Sequence, residues 1–238
     1  MVSIIIPGAG HGRRMKSYGP KPLFKLSDEV RLIDHQYRMI KENVVDEHEI
    51  IFVGGFKHER VIRHTRDMDI KHVHNDRHAE TNVVDSLRIG IEAAKFDVIV
   101  VIYGDLYFNR GTIDNIDYDH TSILCNAEGG WMSPKEVGCT IDNGLVEHVL
   151  YDLDNKWAQV GTFVRGELAM LKKMIGNNKY RNYFLFEIMN EMIDRGASIK
   201  AIIDDEIKTR DIDNVADLAA VQELYSEEFG RGKRPSAV

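Results

Sequence analysis

Apolar and polar positions alternate along this chain in two different rhythms. Val2-Ser3-Ile4-Ile5-Ile6 is a β-branched run closed by Pro7-Gly8, which reads as a buried strand entering a loop. Leu32, Ile33, Tyr37, Met39 and Ile40 then follow helical spacing. Glu49-Ile50-Ile51-Phe52-Val53, ended by Gly54-Gly55, predicts a second strand, and residues 70–74 a short third one. Residues 82–94 carry Val83, Leu87, Ile89, Ile91 and Ala94 and predict a helix. Residues 97–103 (DVIVVIY) are nearly all β-branched, so this strand is expected to be buried on both faces. Strands alternating with helices to this point predict an open α/β sheet, largely parallel.

The rhythm changes after residue 104. Asn143-Gly144 between two short β-rich runs, 137–142 and 145–150, is a type I′ hairpin signal. Residues 158–164 add a strand to what reads as a small antiparallel insert, able to wall one side of a site. Residues 168–175 and 183–195 predict helices, the second stopped by Gly196; 198–203 predicts a strand and 215–229 a last helix. No repeat or linker interrupts the chain, so a single domain is expected over 1–229. The remaining 230–238 (GRGKRPSAV) read as a flexible basic tail.

Composition narrows the function classes. With 238 residues and 43% apolar residues, the chain can build one real core. No apolar run is long enough to cross a bilayer, and no signal-like segment opens the chain, so a soluble cytoplasmic protein with no membrane partner is expected. Cys125 and Cys139 lack metal-ligand spacing and read as reduced core residues. A net charge of -7 argues against nucleic acid as a partner. Yet no acid precedes Asp28, while Arg13, Arg14, Lys16, Lys21 and Lys25 all do. A basic segment in an acidic protein suits a compact polyanion, or else is a solvated surface patch.

That segment contains Pro7-Gly8-Ala9-Gly10-His11-Gly12-Arg13-Arg14-Met15, then Pro20-Lys21-Pro22. Glycines directly after a buried strand let backbone N–H groups approach a phosphate. A guanidinium adds a planar fork for phosphate oxygens and an ammonium a mobile point charge. A dinucleotide fingerprint would need glycine at Arg13, and no Gly-Lys-Ser/Thr of a Walker A loop exists in the chain. A glycine-rich turn with incidental cations is the plainer alternative.

Gly10-x-Gly12-x-Arg14-Met15 with Pro20-Lys21 resembles the signature of NTP-dependent nucleotidyltransferases of the sugar-phosphate and phosphocholine type. The resemblance implies a single Rossmann-like domain related to GT-A glycosyltransferases: a mostly parallel central sheet, helices on both faces and a small antiparallel insert. It implies Pro7, Gly8, Ala9, Gly10 and Gly12 as nucleotide contacts, and Arg14 and Lys21 as the catalytic cations. Gly8 stands where that family usually has alanine.

Tyr103-Gly104-Asp105 ends the most strand-like segment, where open α/β sheets bind ligands. Mg²⁺ needs only one or two protein carboxylates, and the resemblance assigns Asp105 as one, beside Gly104 as a nucleotide contact. Asp211-Ile212-Asp213-Asn214-Val215-Ala216-Asp217-Leu218 resembles the family's late Ile-Asp-Thr-Pro-Glu-Asp-Leu segment, which puts Asp213 on the second metal position, with Asp211 as fallback. Helix capping by Asp213 or Asn214 is the competing reading.

Asn75-Asp76, Thr81-Asn82 and Ser86-Leu87 are similar to the nucleobase-contacting segment of phosphocholine cytidylyltransferases. That favours CTP, with Asn82 near the base and Ser86 orienting the helix; capping by Thr81 or Asn82 explains the same residues equally well. Trp131, Trp157, Tyr151, Asp152 and Asp154 could cage a cationic acceptor or serve as packing. Gly161 matches a glycine near the acceptor in sugar nucleotidyltransferases, so Tyr151 and Gly161 are the acceptor candidates.

The expectation is therefore transfer of NMP from an NTP, CTP favoured, to a small phosphorylated acceptor such as phosphocholine or a sugar phosphate, with Mg²⁺ as cofactor. A homo-oligomer is left open. The alternatives are a GT-A glycosyltransferase, against which the missing Asp-x-Asp at 103–105 counts, and a non-catalytic nucleotide-binding regulatory domain.

Overall fold

A computed structural model of the chain describes residues 1–10, 12, 15, 19–126, 131–133 and 135–229. Arg14 and the tail at 230–238 lie outside the described residues. The strands are β1 (Val2–Pro7), β2 (His48–Gly54), β3 (Lys71–His74), β4 (Val98–Ile102), β5 (Leu106–Phe108), β6 (Ser122–Asn126), β7 (Val137–Asp142), β8 (Leu145–Tyr151), β9 (Asn155–Val164), β10 (Lys200–Asp204) and β11 (Thr209–Asp211). The helices are α1 (Leu32–Asn43), α2 (His58–His64), α3 (Val83–Ala93), α4 (Arg110–Asp114), α5 (Arg165–Ile175), α6 (Leu185–Ile193) and α7 (Val215–Phe229).

Nine strands form one sheet in the order β3-β2-β1-β4-β9-β6-β10-β8-β7. β3, β2, β1 and β4 pair in parallel, as do β6 and β10, while β9 runs antiparallel to both β4 and β6. The sheet is therefore mostly parallel with β9 and β8 reversed. Sequence reading put the 158–164 strand with the insert; it lies instead in the middle of the main sheet. Its apolar residues on both faces explain why: Trp157, Ala158, Val160, Phe163 and Val164 are all buried. The hairpin of β7 and β8 extends the far edge, and its turn has positive φ at both Asn143 (49°) and Gly144 (80°), as a type I′ turn requires.

Both faces of the sheet are covered, which is why β1, β2 and β4 carry no polar alternation. On one face Ile5, Ile51, Val53, Ile99 and Val101 pack against Val84, Leu87 and Ile91 of α3, and the same core continues into α5 and α6. On the other, Ile4, Ile6, Ile50, Phe52, Val100 and Ile102 pack with Ile33, Met39 and Ile40 of α1. A third cluster joins Met15, Phe24, Leu32 and Tyr107 to Leu218, Val221 and Tyr225 of α7. Cys125 and Cys139 are free buried thiols, their Sγ atoms 3.5 Å apart. Among the described residues no helix is long and apolar enough to cross a membrane.

From β1 the chain turns to β2 on one side, and β4 adds on the other. The loops after β1 and β4 therefore meet at a topological switch point, where open α/β sheets hold ligands.

Candidate active site

A cavity of about 560 Å³ opens at this switch point, lined by Pro7, Gly8, Gly10, Gly12, Lys21, Pro22, Asn82, Gly104, Asp105, Phe184 and Asp213. Residues far apart in sequence thus converge on one space. The loops after β1 and β4 touch: Gly104 N–H donates to the Pro7 carbonyl at 3.1 Å. A Cβ on Gly104 would lie 2.9 Å from Gly8 Cα and from the Pro7 oxygen, so only glycine fits that crossing. Gly8 has its own local reason. A Cβ there would sit 2.6 Å from the Phe52 ring, which accounts for glycine where the resembled family usually has alanine.

Lys21 opens a 3-10 turn, Lys21–Leu23, between Pro20 and Pro22, whose fixed φ stiffens its backbone. Its Nζ donates to Asp105 Oδ2 at 2.8 Å and to Asp213 Oδ1 at 2.7 Å. Burial alone would lower the lysine pKa, but the two carboxylates outweigh it and hold the pKa above its ordinary value, so the ammonium stays charged.

The route by which Asp213 reaches this point was not visible in the sequence. β5, just past Asp105, pairs antiparallel with β11, which puts Asp211 opposite Leu106. Ile212 N–H then donates to the Asp105 carbonyl at 3.0 Å. Buried Asn126 pins the pair: its Oδ1 accepts from Thr209 N–H at 3.0 Å and its Nδ2 donates to Thr209 Oγ1 at 3.0 Å. From α1, buried Gln36 donates through Nε2 to the carbonyls of Tyr103 (2.9 Å) and Leu106 (2.8 Å), clamping the turn that carries Asp105. A buried glutamine on the apolar face of a helix was the one available signal for it.

Capping of the last helix falls to Asn214, whose Oδ1 accepts from Ala216 N–H at 2.8 Å and Asp217 N–H at 3.1 Å. Asp213 is left facing Lys21. Asp211 lies behind the site. Burial first, then the charges of Glu136, Asp105 and Asp213, push its pKa up to about 7 against the opposing pull of Lys21. Glu136 is raised too, by burial and by Asp213, Asp217 and Asp105. Among the described residues no group of three or more ligating side chains is gathered as a metal cluster. Mg²⁺ requires only one or two carboxylates, with phosphate and water completing its shell, and two carboxylates already converge on the Lys21 ammonium. The donor set fits such an ion.

Beside the main cavity lies a smaller one of about 240 Å³, lined by Ala9, Gly10, Asn75, His78, Thr81, Asn82, Val83, Ser86, Tyr103, Asp105 and Phe184 among others. Asn82 caps α3, its Oδ1 accepting from Val83 N–H at 2.8 Å, and it also lines both cavities. Asn75 is buried and donates to Ser86 Oγ at 3.1 Å, which fixes the strand–helix corner. Phe184, absent from the sequence-based candidates, is 45% exposed at the mouth of both cavities.

The acceptor candidates are not brought into these cavities. Gly161 is buried in β9 between Val101 and Ile123. Tyr151 is 52% exposed at the end of β8, its ring edge-on to Phe186 at 5.5 Å. Trp157 is buried, with Nε1 donating to the Val160 carbonyl, and Trp131 stacks on Tyr107. Both tryptophans act in packing.

Residues 4–129 match the model of the MobA-like NTP transferase domain, more than half of the chain. The chain belongs to this family. Relatives at the level of sequence include two proteins named bifunctional protein GlmU. The one from Acetivibrio thermocellus is 25% identical over 219 residues, covering 83% of this chain and 46% of its own length. The one from Aliarcobacter butzleri is 24% identical over 237 residues, covering 94% and 53%. The chain spans about half the length of these curated relatives. Among solved structures, the CTP:phosphocholine cytidylyltransferase from Streptococcus pneumoniae shares the fold at a TM-score of 0.77 and 18% identity, covering 94% of this chain and 98% of that one. The inositol-1-phosphate CTP transferase from T. maritima does so at 0.76 and 16%, covering 94% and 95%.

Proposed function

We propose that this protein transfers a nucleoside monophosphate from an NTP, CTP favoured, to a small phosphorylated acceptor such as phosphocholine or a sugar phosphate, releasing pyrophosphate. The observation that carries the reading is the Lys21 ammonium, held 2.8 Å from Asp105 and 2.7 Å from Asp213 on the wall of a glycine-lined cavity. The lean to CTP is supported by the Asn75–Ser86 corner beside Asn82, and by fold likeness to two enzymes whose names specify CTP.

In this reading an acceptor phosphate oxygen attacks the α-phosphorus in line. The new P–O bond forms as the bond to the β-phosphate bridging oxygen breaks, and pyrophosphate leaves with that electron pair. A phosphate monoester is already anionic near neutral pH, so no general base is required. Backbone N–H groups of the loop after β1 orient the phosphates. Lys21, with two of its three N–H donors on carboxylates, has a third for a phosphate oxygen, and Arg14 joins it in neutralising the departing pyrophosphate. Asp105 and Asp213 would hold Mg²⁺, which when bound supplies charge neutralisation at the α-phosphate. Asn82 and the walls of the smaller cavity orient the base.

The test is a matrix of four NTPs against phosphocholine, sugar 1-phosphates and other phosphorylated metabolites, with Mg²⁺, read by pyrophosphate formation. CTP with one acceptor class should dominate. No pyrophosphate across the matrix, with NTP binding intact, would mean a binding module instead.

A further inference from the structure

On the far side of the Lys21–Leu23 turn lies a separate cavity of about 320 Å³, lined by Leu23, Arg31, Arg60, Arg63 and His64. It shares no lining residue with the cavities described above. Arg60, Arg63 and His64 fall at i, i+3 and i+4 on α2 and so project from one face of that helix. Arg31 comes from the start of α1, its guanidinium fixed by donating through Nη1 to the Leu23 carbonyl at 2.8 Å.

The acid facing this group is Asp34, and it is already engaged. Its Oδ1 is 2.6 Å from His64 Nε2, and its Oδ2 accepts from Arg31 N–H at 2.7 Å. The guanidiniums of Arg60 and Arg63 have no ion pair or hydrogen bond among the described residues. A protein of net charge -7 thus places three guanidiniums on the wall of one hollow that has no carboxylate among its described lining residues. Like charges so placed repel, and an oxyanion between them adds attractive terms that offset that repulsion. Planar guanidinium forks match the oxygens of a tetrahedral anion. The volume is at the small end of ligand sites and admits a phosphate group or a small phosphate ester.

We propose that this pocket between α1 and α2 is a second anion site, distinct from the nucleotide cavity, that takes a phosphate group, free or on a small ester. Arg60 also packs against the backbone ahead of Lys21, its Nη1 lying 3.2 Å from where a Cβ of Gly19 would be. An occupant would therefore tie α1 and α2 to the segment that carries the catalytic lysine.

Isothermal titration at about 150 mM NaCl, roughly physiological ionic strength, with inorganic phosphate, and separately with glycerol phosphate, tests this. NMR shifts of the arginine side-chain N–H groups and the His64 ring locate the bound anion. The expected result is one bound anion, shifts at Arg31, Arg60, Arg63 and His64, and affinity reduced about tenfold or more by Arg60→Gln with Arg63→Gln. Lys21→Met should leave that affinity unchanged. Stronger binding of phosphate than of the ester points to the free anion, and the reverse to a phosphorylated metabolite. Affinity retained in the double variant, or abolished by Lys21→Met alone, overturns the proposal by returning all phosphate binding to the main cavity.

Discussion

Lys21 keeps two aspartates together that would otherwise repel, and the same charge is what a leaving pyrophosphate needs. Lys21→Ala is expected to lower turnover about 10²–10³-fold, the scale of losing one preorganised charge donor, while circular dichroism stays native. Pyrophosphate release at the native rate in that variant would take Lys21 out of the mechanism. Gly8 offers a cleaner test of packing. Gly8→Ala should destabilise by about 1–3 kcal/mol, because its methyl meets the Phe52 ring. Trimming the ring with Phe52→Leu should recover part of that loss in the double variant. If the two costs simply add in urea melts, the contact is not what excludes alanine.

At the scale of elements, the pairing of β5 with β11 assembles the site, and Asn126 fastens it. Asn126→Ala leaves buried Thr209 N–H unpartnered, so a stability loss of about 1–3 kcal/mol is expected. Because Asp213 lies two residues past the end of β11, pyrophosphate formation should fall as well. Native activity at a temperature where the variant is fully folded would separate the fastening from the chemistry. These short strands were also the part of the fold hardest to read. Long β-branched runs such as 97–103 and the spaced apolar residues of α1, α3 and α7 announce themselves by period. Three-residue strands such as Leu106–Phe108 and Thr209–Asp211 are too short to show one. α2 escaped notice for a related reason: its residues, His58–His64, bury only His58 and Val61, so no apolar stripe marks it. The glycine loop, Lys21, Asp105 and Asp213 could be picked out because each sits in a short motif that resembles a known family's, and they line one cavity. Gln36, Asn126 and Phe184 were not, since their roles depend on partners set by tertiary packing.

For the whole molecule, buried imidazoles set an acid limit. His58 Nδ1 lies 3.0 Å from His74 Nδ1, and its Nε2 lies 3.2 Å from His72 Nδ1. Burial first, then the neighbouring His72 and His74, lower the His58 pKa from 6.5 to about 4. Burial does the same to His35, which donates to the Phe108 carbonyl. Between those two pH values the unfolded chain holds protons that the folded one lacks, so stability rises with pH. It is complete above the unfolded value and is lost as pH falls from about 6.5 toward 4, by an amount on the order of 2 kcal/mol for each ring. Melting temperatures across that window should fall in the native protein and fall less in His58→Gln. An unchanged slope in the variant would acquit the histidine cluster.

The contact of Gly104 with Pro7 and Gly8 also limits how the site can adapt. With backbone resting on backbone there, phosphate cradle and Asp105 travel as one rigid jaw, and neither can yield to fit a bulkier guest. Under the proposed transfer, latitude for different acceptors would have to come from elsewhere on the cavity wall, around Phe184. On the same proposal, a change of specificity would be expected at that wall and not at the crossing of the two loops.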